Sequence, residues 1–275
     1  MQHKIEAFSK DGDARVAASA MTATALASAA GSPFVARRSG KTDCGRVVFF
    51  IHGTPGTASD WEAVWRELAE LGFDCERVAL DRLGFGENAA GDSLEDWEGQ
   101  LASFETVLQA EAQSERSLFI VGHSYGAALA AALAERLAVP GRLGGLVLVA
   151  GVLSPDEVQC RWYHRLLLIP YVSRLFPRHY VQSAKEMSAV TTYLAQLLRF
   201  WDRCKVPVTL LHGEEDRTIP FANSEYIASR LSGRNAKLVP VPGGGHALIQ
   251  SHPKLIAKEI AALVAGDSVE KENKA

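Results

Sequence analysis

One stretch constrains this chain more than any other: Leu118-Phe119-Ile120-Val121-Gly122-His123-Ser124-Tyr125-Gly126, followed by the alanine-rich run Ala127 to Leu137. Leu118 to Val121 are apolar, and three of the four are β-branched or aromatic, the pattern of a short buried strand. The alanine run is a strong helix former. Gly-His-Ser-Tyr-Gly is all the chain has in which to turn from one to the other. Small residues two before and two after Ser124 let strand and helix approach closely, and a serine at the apex of so sharp a turn stands clear of the sheet. The bare G-x-S-x-G spacing is common. The strand before it and the helix after it make Ser124 a candidate nucleophile.

The rest of the chain repeats the alternation. Arg46 to Ile51 (RVVFFI) is a second continuous apolar run, as in a parallel strand covered on both faces. It ends at His52-Gly53-Thr54-Pro55-Gly56. Trp61, Val64, Trp65 and Leu68 then recur at helical spacing within Ser59 to Leu71, and Gly72 closes that helix. Cys75 to Leu80 is the next strand, Asp81 to Gly86 a turn-rich loop, and Ser93 to Ala112 a helix with Leu94, Trp97, Leu101, Phe104 and Leu108 on one face. Strands follow at Gly145 to Ala150, Pro207 to His212 and Ala236 to Val241, with helices at Asn223 to Leu231 and Pro253 to Ala265. Such alternation predicts an α/β fold: a mostly parallel sheet with helices on both faces. Residues 152–204 differ. Their period is helical, aromatic residues cluster, and Pro155, Pro170 and Pro177 punctuate them, which predicts a small helical cap inserted between two strands of the core. The expected units are an N-terminal segment at 1–45 (an arm plus first strands), a core at 46–151 and 205–266, the cap at 152–204, and a flexible tail at 267–275.

Composition excludes several classes. Among 275 residues the net charge is −3 and no basic block occurs, so nucleic-acid binding has no support. No apolar run approaches the roughly 18 residues of a membrane span, so stable membrane insertion is not expected. Cys44, Cys75, Cys160 and Cys204 are widely spaced, with neither zinc-ligand nor disulfide-framework spacing. Reduced thiols in a cytoplasm are the default. Val16 to Gly31 is Ala/Ser/Thr-rich with A-x-A-like sites, but Glu6, Asp11 and Asp13 precede it and its apolar run is weak. A short helix or arm ahead of the first strands is preferred to an export signal. No oligomeric state follows from the sequence.

Four motifs in order resemble those of the α/β-hydrolase superfamily, from about Arg46 to Ala265. HGTPG resembles its oxyanion loop, DRLGFGEN its D-R-x-G-x-G-x-S loop, GHSYG its nucleophile elbow, and HGEED with a later GGGH its acid and base loops. Asn88 stands where serine is usual, and Leu83 where proline is common. The resemblance implies Ser124 as nucleophile, His246 as general base and Asp216 as orienting acid. The backbone N–H groups of Tyr125 and Thr54 would be oxyanion donors; Pro55 has none to offer. It also implies a cis Thr54–Pro55 bond. Asp156, just after the preceding strand, is the competing acid, whereas Glu214 and Glu215 read as solvated. His52, His123 and His212 read as structural. The aspartate nucleophile of related dehalogenases is excluded by Ser124, and Gly84-x-Gly86 lacks the context of a dinucleotide loop. Trp162 and Tyr163 of the cap are the expected substrate contacts.

The reading is therefore a cofactor-free serine hydrolase splitting a small hydrophobic ester or similar acyl bond through an acyl-enzyme. C–C bond hydrolysis, lactonase and haloperoxidase chemistry use the same triad. In another class altogether stands a ligand sensor of the same fold with slow turnover. Peptidases of the fold resemble H-G-G-P-G, from which Thr54 departs.

Overall fold

A computed structural model describes residues 22–27, 33–88, 97–113, 116–137, 142–158, 160–231 and 236–272. Its centre is an eight-stranded sheet of β1 (Thr22–Ala27), β2 (Pro33–Ser39), β3 (Arg46–Ile51), β4 (Glu76–Leu80), β5 (Ser117–His123), β6 (Leu143–Val149), β7 (Val208–Gly213) and β8 (Ala236–Val241). The spatial order is β1-β2-β4-β3-β5-β6-β7-β8. β1 pairs antiparallel with β2, and β2 with β4; every later pair is parallel. Between the strands run α1 (Glu62–Glu70), α2 (Trp97–Gln113) and α3 (Tyr125–Arg136), then the cap helices α4 (Trp162–Leu167), α5 (Pro170–Ser173) and α6 (Arg178–Arg203). α7 (Ala222–Arg230), α8 (Leu248–Ser251) and α9 (Pro253–Glu272) follow.

The apolar strands divide their side chains between two cores, because successive residues of a strand point to opposite faces. Val47, Phe49 and Ile51 join Leu101, Phe104 and Trp201 on one face, whereas Val48 and Phe50 join Trp61, Trp65, Ile256 and Ile260 on the other. α3 is buried from Tyr125 through Ala134, and its alanines let it lie close against the sheet with α6 packed over it. Trp201 near the end of α6 is fully buried and roots the cap in the core.

Two boundaries differ most from the sequence reading. Residues 22–27, within the segment read as a helix or arm, form edge strand β1. Their ladder with β2 overrides alanine's helix preference. α9 continues to Glu272, through Gly266 and into the expected tail. Once Ile256, Ala257, Ile260 and Val264 anchor the helix, a glycine costing about 1 kcal/mol does not stop its propagation. The expected start of α2 at Ser93 lies outside the described residues, as do residues 273–275.

Candidate active site

The strand-to-helix turn at Ser124 is as tight as its sequence demands. Ser124 has φ 53 and ψ −121, a positive φ that costs a non-glycine residue about 1–3 kcal/mol. The surrounding backbone holds it there. Its N–H donates to Val149 O at 2.9 Å, and its own carbonyl accepts from Ala127 N and Val152 N at 3.0 and 3.1 Å. A Cβ on Gly122 would lie 2.4 Å from Gly126 O, and one on Gly126 would lie 2.4 Å from Ile51 O. Both positions therefore require glycine.

β8 ends in the Gly243-Gly244-Gly245 loop that delivers His246. Its Nε2 lies 3.0 Å from Ser124 Oγ, and its Nδ1 lies 2.7 Å from Asp216 Oδ2. Asp216 stands in the loop after β7, where its Oδ1 accepts from Thr218 N at 2.8 Å and Ile219 N at 2.9 Å. Burial by itself would push this carboxyl up. The hydrogen bonds from His212, His246 and the Ile219 backbone outweigh burial and hold it well below the usual carboxylate range. Asp156 is exposed on the turn after β6, and Asp216 is the acid that meets His246.

Three further histidines brace this arrangement. His212 is fully buried; its Nδ1 faces Ser224 Oγ at 2.7 Å, and its Nε2 faces Ile219 O at 3.0 Å and Asp216 Oδ2 at 3.3 Å. It is a second imidazole on the acid, a contact the sequence reading missed. His123 Nε2 lies 3.1 Å from the His246 carbonyl, and burial together with the neighbouring His246 pushes its pKa down to about 3. It is therefore neutral at ordinary pH and donates to that carbonyl. His52 accepts the Arg82 backbone N–H at Nε2 (2.9 Å), which leaves Nδ1 to donate to Gly53 O at 2.8 Å.

The Gly53 carbonyl also receives Arg82 Nη2 at 2.9 Å. Arg82 is fully buried, its guanidinium between the rings of Phe85 and Tyr125 at 4.4 and 4.9 Å. It is paired bidentately with Glu186 of α6 at 2.7 and 3.0 Å. Two donors thus fix the Gly53–Thr54 peptide. Because that peptide is trans, its N–H points away from them. The next bond, Thr54–Pro55, is cis, as the resemblance implied. Sequence reasoning missed Glu186, although a clue existed: an acid on the same face of α6 as Met187 and Val190. Asn88, the departure in the DRLGFGEN loop, donates its amide to Asp81 O at 2.6 Å, while the Asp81 carboxylate accepts from Ala58 N and Glu87 N.

Above Ser124 lies a cavity of about 390 Å³. Thr54, Pro55, Ser124 and His246 form its floor, and Tyr163, Leu167, Tyr180 and Met187 of the cap line it. Thr54 Oγ1 is buried and hydrogen-bonded to none of the described residues. Tyr125 opens α3 directly after Ser124, and its ring is buried against Trp97 and Arg82. Of the two expected cap contacts, Tyr163 lines the cavity. Trp162 does not: it is 74% exposed on the outer side of α4. Tyr163, His164 and Leu167 take the inward face of that helix, and the residue before them necessarily points away.

This architecture is matched by sequence. Residues 48–259 fit the α/β hydrolase family. The chain belongs to that family. It is an α/β-hydrolase-fold enzyme with a capped core, and two curated relatives align along most of it. A non-heme chloroperoxidase of Streptomyces lividans is 24% identical over 263 residues, covering 80% of this chain and 92% of its own. A bifunctional esterase/perhydrolase of Acinetobacter calcoaceticus is 24% identical over 260 residues, covering 79% and 91%. Among solved structures, a haloalkane dehalogenase of Bradyrhizobium elkani superposes with a TM-score of 0.75 at 19% identity, over 91% of this α/β hydrolase and all of its own chain. At that identity the likeness speaks for the fold.

Proposed function

We propose that this α/β hydrolase cleaves carboxylic esters, or closely similar acyl bonds, through an acyl-enzyme. The observation that carries this reading is the unbroken Ser124–His246–Asp216 hydrogen-bond chain at the floor of a cavity of ligand size. Ser124 Oγ attacks the acyl carbon as His246 Nε2 takes its proton. Asp216 holds the Nδ1–H tautomer and stabilises the imidazolium without itself being protonated. The N–H groups of Thr54 and Tyr125 receive the developing oxyanion. The first belongs to the peptide that Arg82 and His52 anchor, and the second, in the opening turn of α3, has no carbonyl of its own helix to meet. His246 returns its proton to the leaving alcohol, and water repeats the sequence to free the acid.

The relatives' names motivate a second outcome of the same intermediate. Hydrogen peroxide in place of water would attack the acyl-enzyme and release a peracid, regenerating Ser124. The test is turnover of p-nitrophenyl esters from acetate to laurate, with and without peroxide. Hydrolysis favouring short or medium chains and lost in Ser124→Ala supports the esterase reading. Peracid formation outpacing hydrolysis selects the second, and no turnover of any ester overturns both.

A further inference from the structure

Among the described residues, nine large apolar side chains are exposed, and eight of them fall between Trp162 and Tyr180. They include Trp162 at 74%, Tyr171 at 80% and Leu175 at 80%. A cluster this dense is not the ordinary scatter of surface hydrophobics. The same part of the chain has a one-signed charge. From 158 to 185 there is no aspartate or glutamate, although the protein carries 32 of them, and Arg161, Arg165, Arg174, Arg178 and Lys185 all lie there. The same helices also wall the cavity, which Tyr163 and Tyr180 line.

We infer that the outer face of α4, α5 and the start of α6 docks on an anionic phospholipid bilayer. Aromatic and aliphatic side chains interleaved with arginines match the headgroup boundary, where rings seat at the interface and guanidinium groups reach phosphates. No helix among the described residues is long and apolar enough to cross a membrane, so this is adsorption in the plane. A second copy of the chain is a poorer occupant. A two-fold contact through this face would set the exposed Arg165 and Arg174 against their own copies, with no acid of residues 158–185 opposite them. The consequence for substrate, that esters reach Ser124 from the lipid interface, rests on the hydrolase reading; the docking itself does not.

The test uses full-length Ser124→Ala protein, so that binding is measured without turnover, with vesicles of phosphatidylcholine alone or mixed with phosphatidylglycerol. Co-sedimentation with the mixed vesicles, and little with phosphatidylcholine alone, is expected. Arg165→Gln and Arg174→Gln should each weaken partitioning by about fivefold, the worth of one charge near such a surface. Tyr171→Ser with Leu175→Ser should weaken it further. The same four changes in the active background should leave turnover of soluble p-nitrophenyl acetate unchanged, which shows that the variants fold. No co-sedimentation at low salt, or binding indifferent to both pairs, overturns the proposal. So does sedimentation velocity showing a dimer that Tyr171→Ser and Leu175→Ser dissolve, or an acidic protein that competes the enzyme off the vesicles through the same residues.

Discussion

The floor and the roof of the cavity are built on opposite plans. In the floor, Ser124, Asp216 and His246 each follow the carboxyl end of a strand, and the backbone has no slack. A Cβ on Gly213, for example, would fall 2.2 Å from Gly244 O, where the acid and base loops touch. In the roof, α4 and α5 span only six and four residues and bury none of them. α6 joins the two, rooted by Trp201 and tied to the Gly53 carbonyl through Glu186 and Arg82. On the proposed reading, bond making falls to the carboxyl ends of the strands, where geometry cannot drift. Choice among substrates falls to a cover whose short helices can be altered without disturbing the fold.

The largest expected effects lie in the floor. Ser124→Ala should lower kcat by about 10⁴-fold or more, and Asp216→Asn by about 10³–10⁴-fold with KM little changed. Combining them should add little, because the triad acts as a unit. Asp156→Asn should stay within a few-fold of wild type; if it proved the damaging change, the acid would belong to the other loop.

The junction comes next. Removing one partner of a buried ion pair costs about 3–5 kcal/mol, so Glu186→Gln or Arg82→Met should show that loss in denaturant unfolding. The double change Arg82→Met with Glu186→Met should regain most of the stability. It should not regain kcat, because the Gly53 carbonyl still lacks its guanidinium. Full recovery of both would mean that roof and floor are not coupled through this pair.

Acid should then loosen the floor. His123 is held neutral in the folded protein down to about pH 3, whereas an unfolded histidine takes up its proton near pH 6.5. Its contribution is fully present above about pH 6.5 and is lost at up to about 1.4 kcal/mol per pH unit as the pH falls towards 3. Asp216, with its folded pKa depressed, adds stability present above about pH 3.9 and lost below it. Buried His52, whose pKa burial also pushes down, adds to the fall in the same sense, so stability measured from pH 7 to 4 should drop more steeply than His123 alone requires. His123→Gln should lessen the slope by one histidine's share, since the amide can still donate to the His246 carbonyl.

The smallest effects belong to the roof. Tyr163→Ala and Met187→Ala should move the preference towards longer acyl chains by about tenfold. Trp162→Ala, outside the cavity, should shift it less than twofold. A uniform response to all three would place the acyl pocket elsewhere.

The same division decided what the sequence disclosed. The floor was legible because each part of it is local: a strand, a short loop of forced composition, a helix. Ser124, Asp216 and His246 each lie in such a loop, and the folded chain brings them within hydrogen-bond reach. Pairings across the fold left no such trace. Arg82 and Glu186 are 104 positions apart, and nothing near either residue announces the other. His212 looked like an ordinary strand-end histidine until the loop folded Asp216 back beneath it. In the roof, aromatic clustering located the cap but not its inward face. A six-residue helix offers too few turns for periodicity to separate Tyr163 from Trp162.

The central claim is that Ser124 is the nucleophile activated by His246, and covalent capture tests it most directly. Treatment with a fluorophosphonate, followed by intact-mass measurement and peptide mapping, should find a single adduct on Ser124. The adduct should be absent in Ser124→Ala and should form more than about 10³-fold more slowly in His246→Ala. An adduct on another serine would contradict the account, as would ester turnover that persists in the Ser124→Ala protein without any adduct.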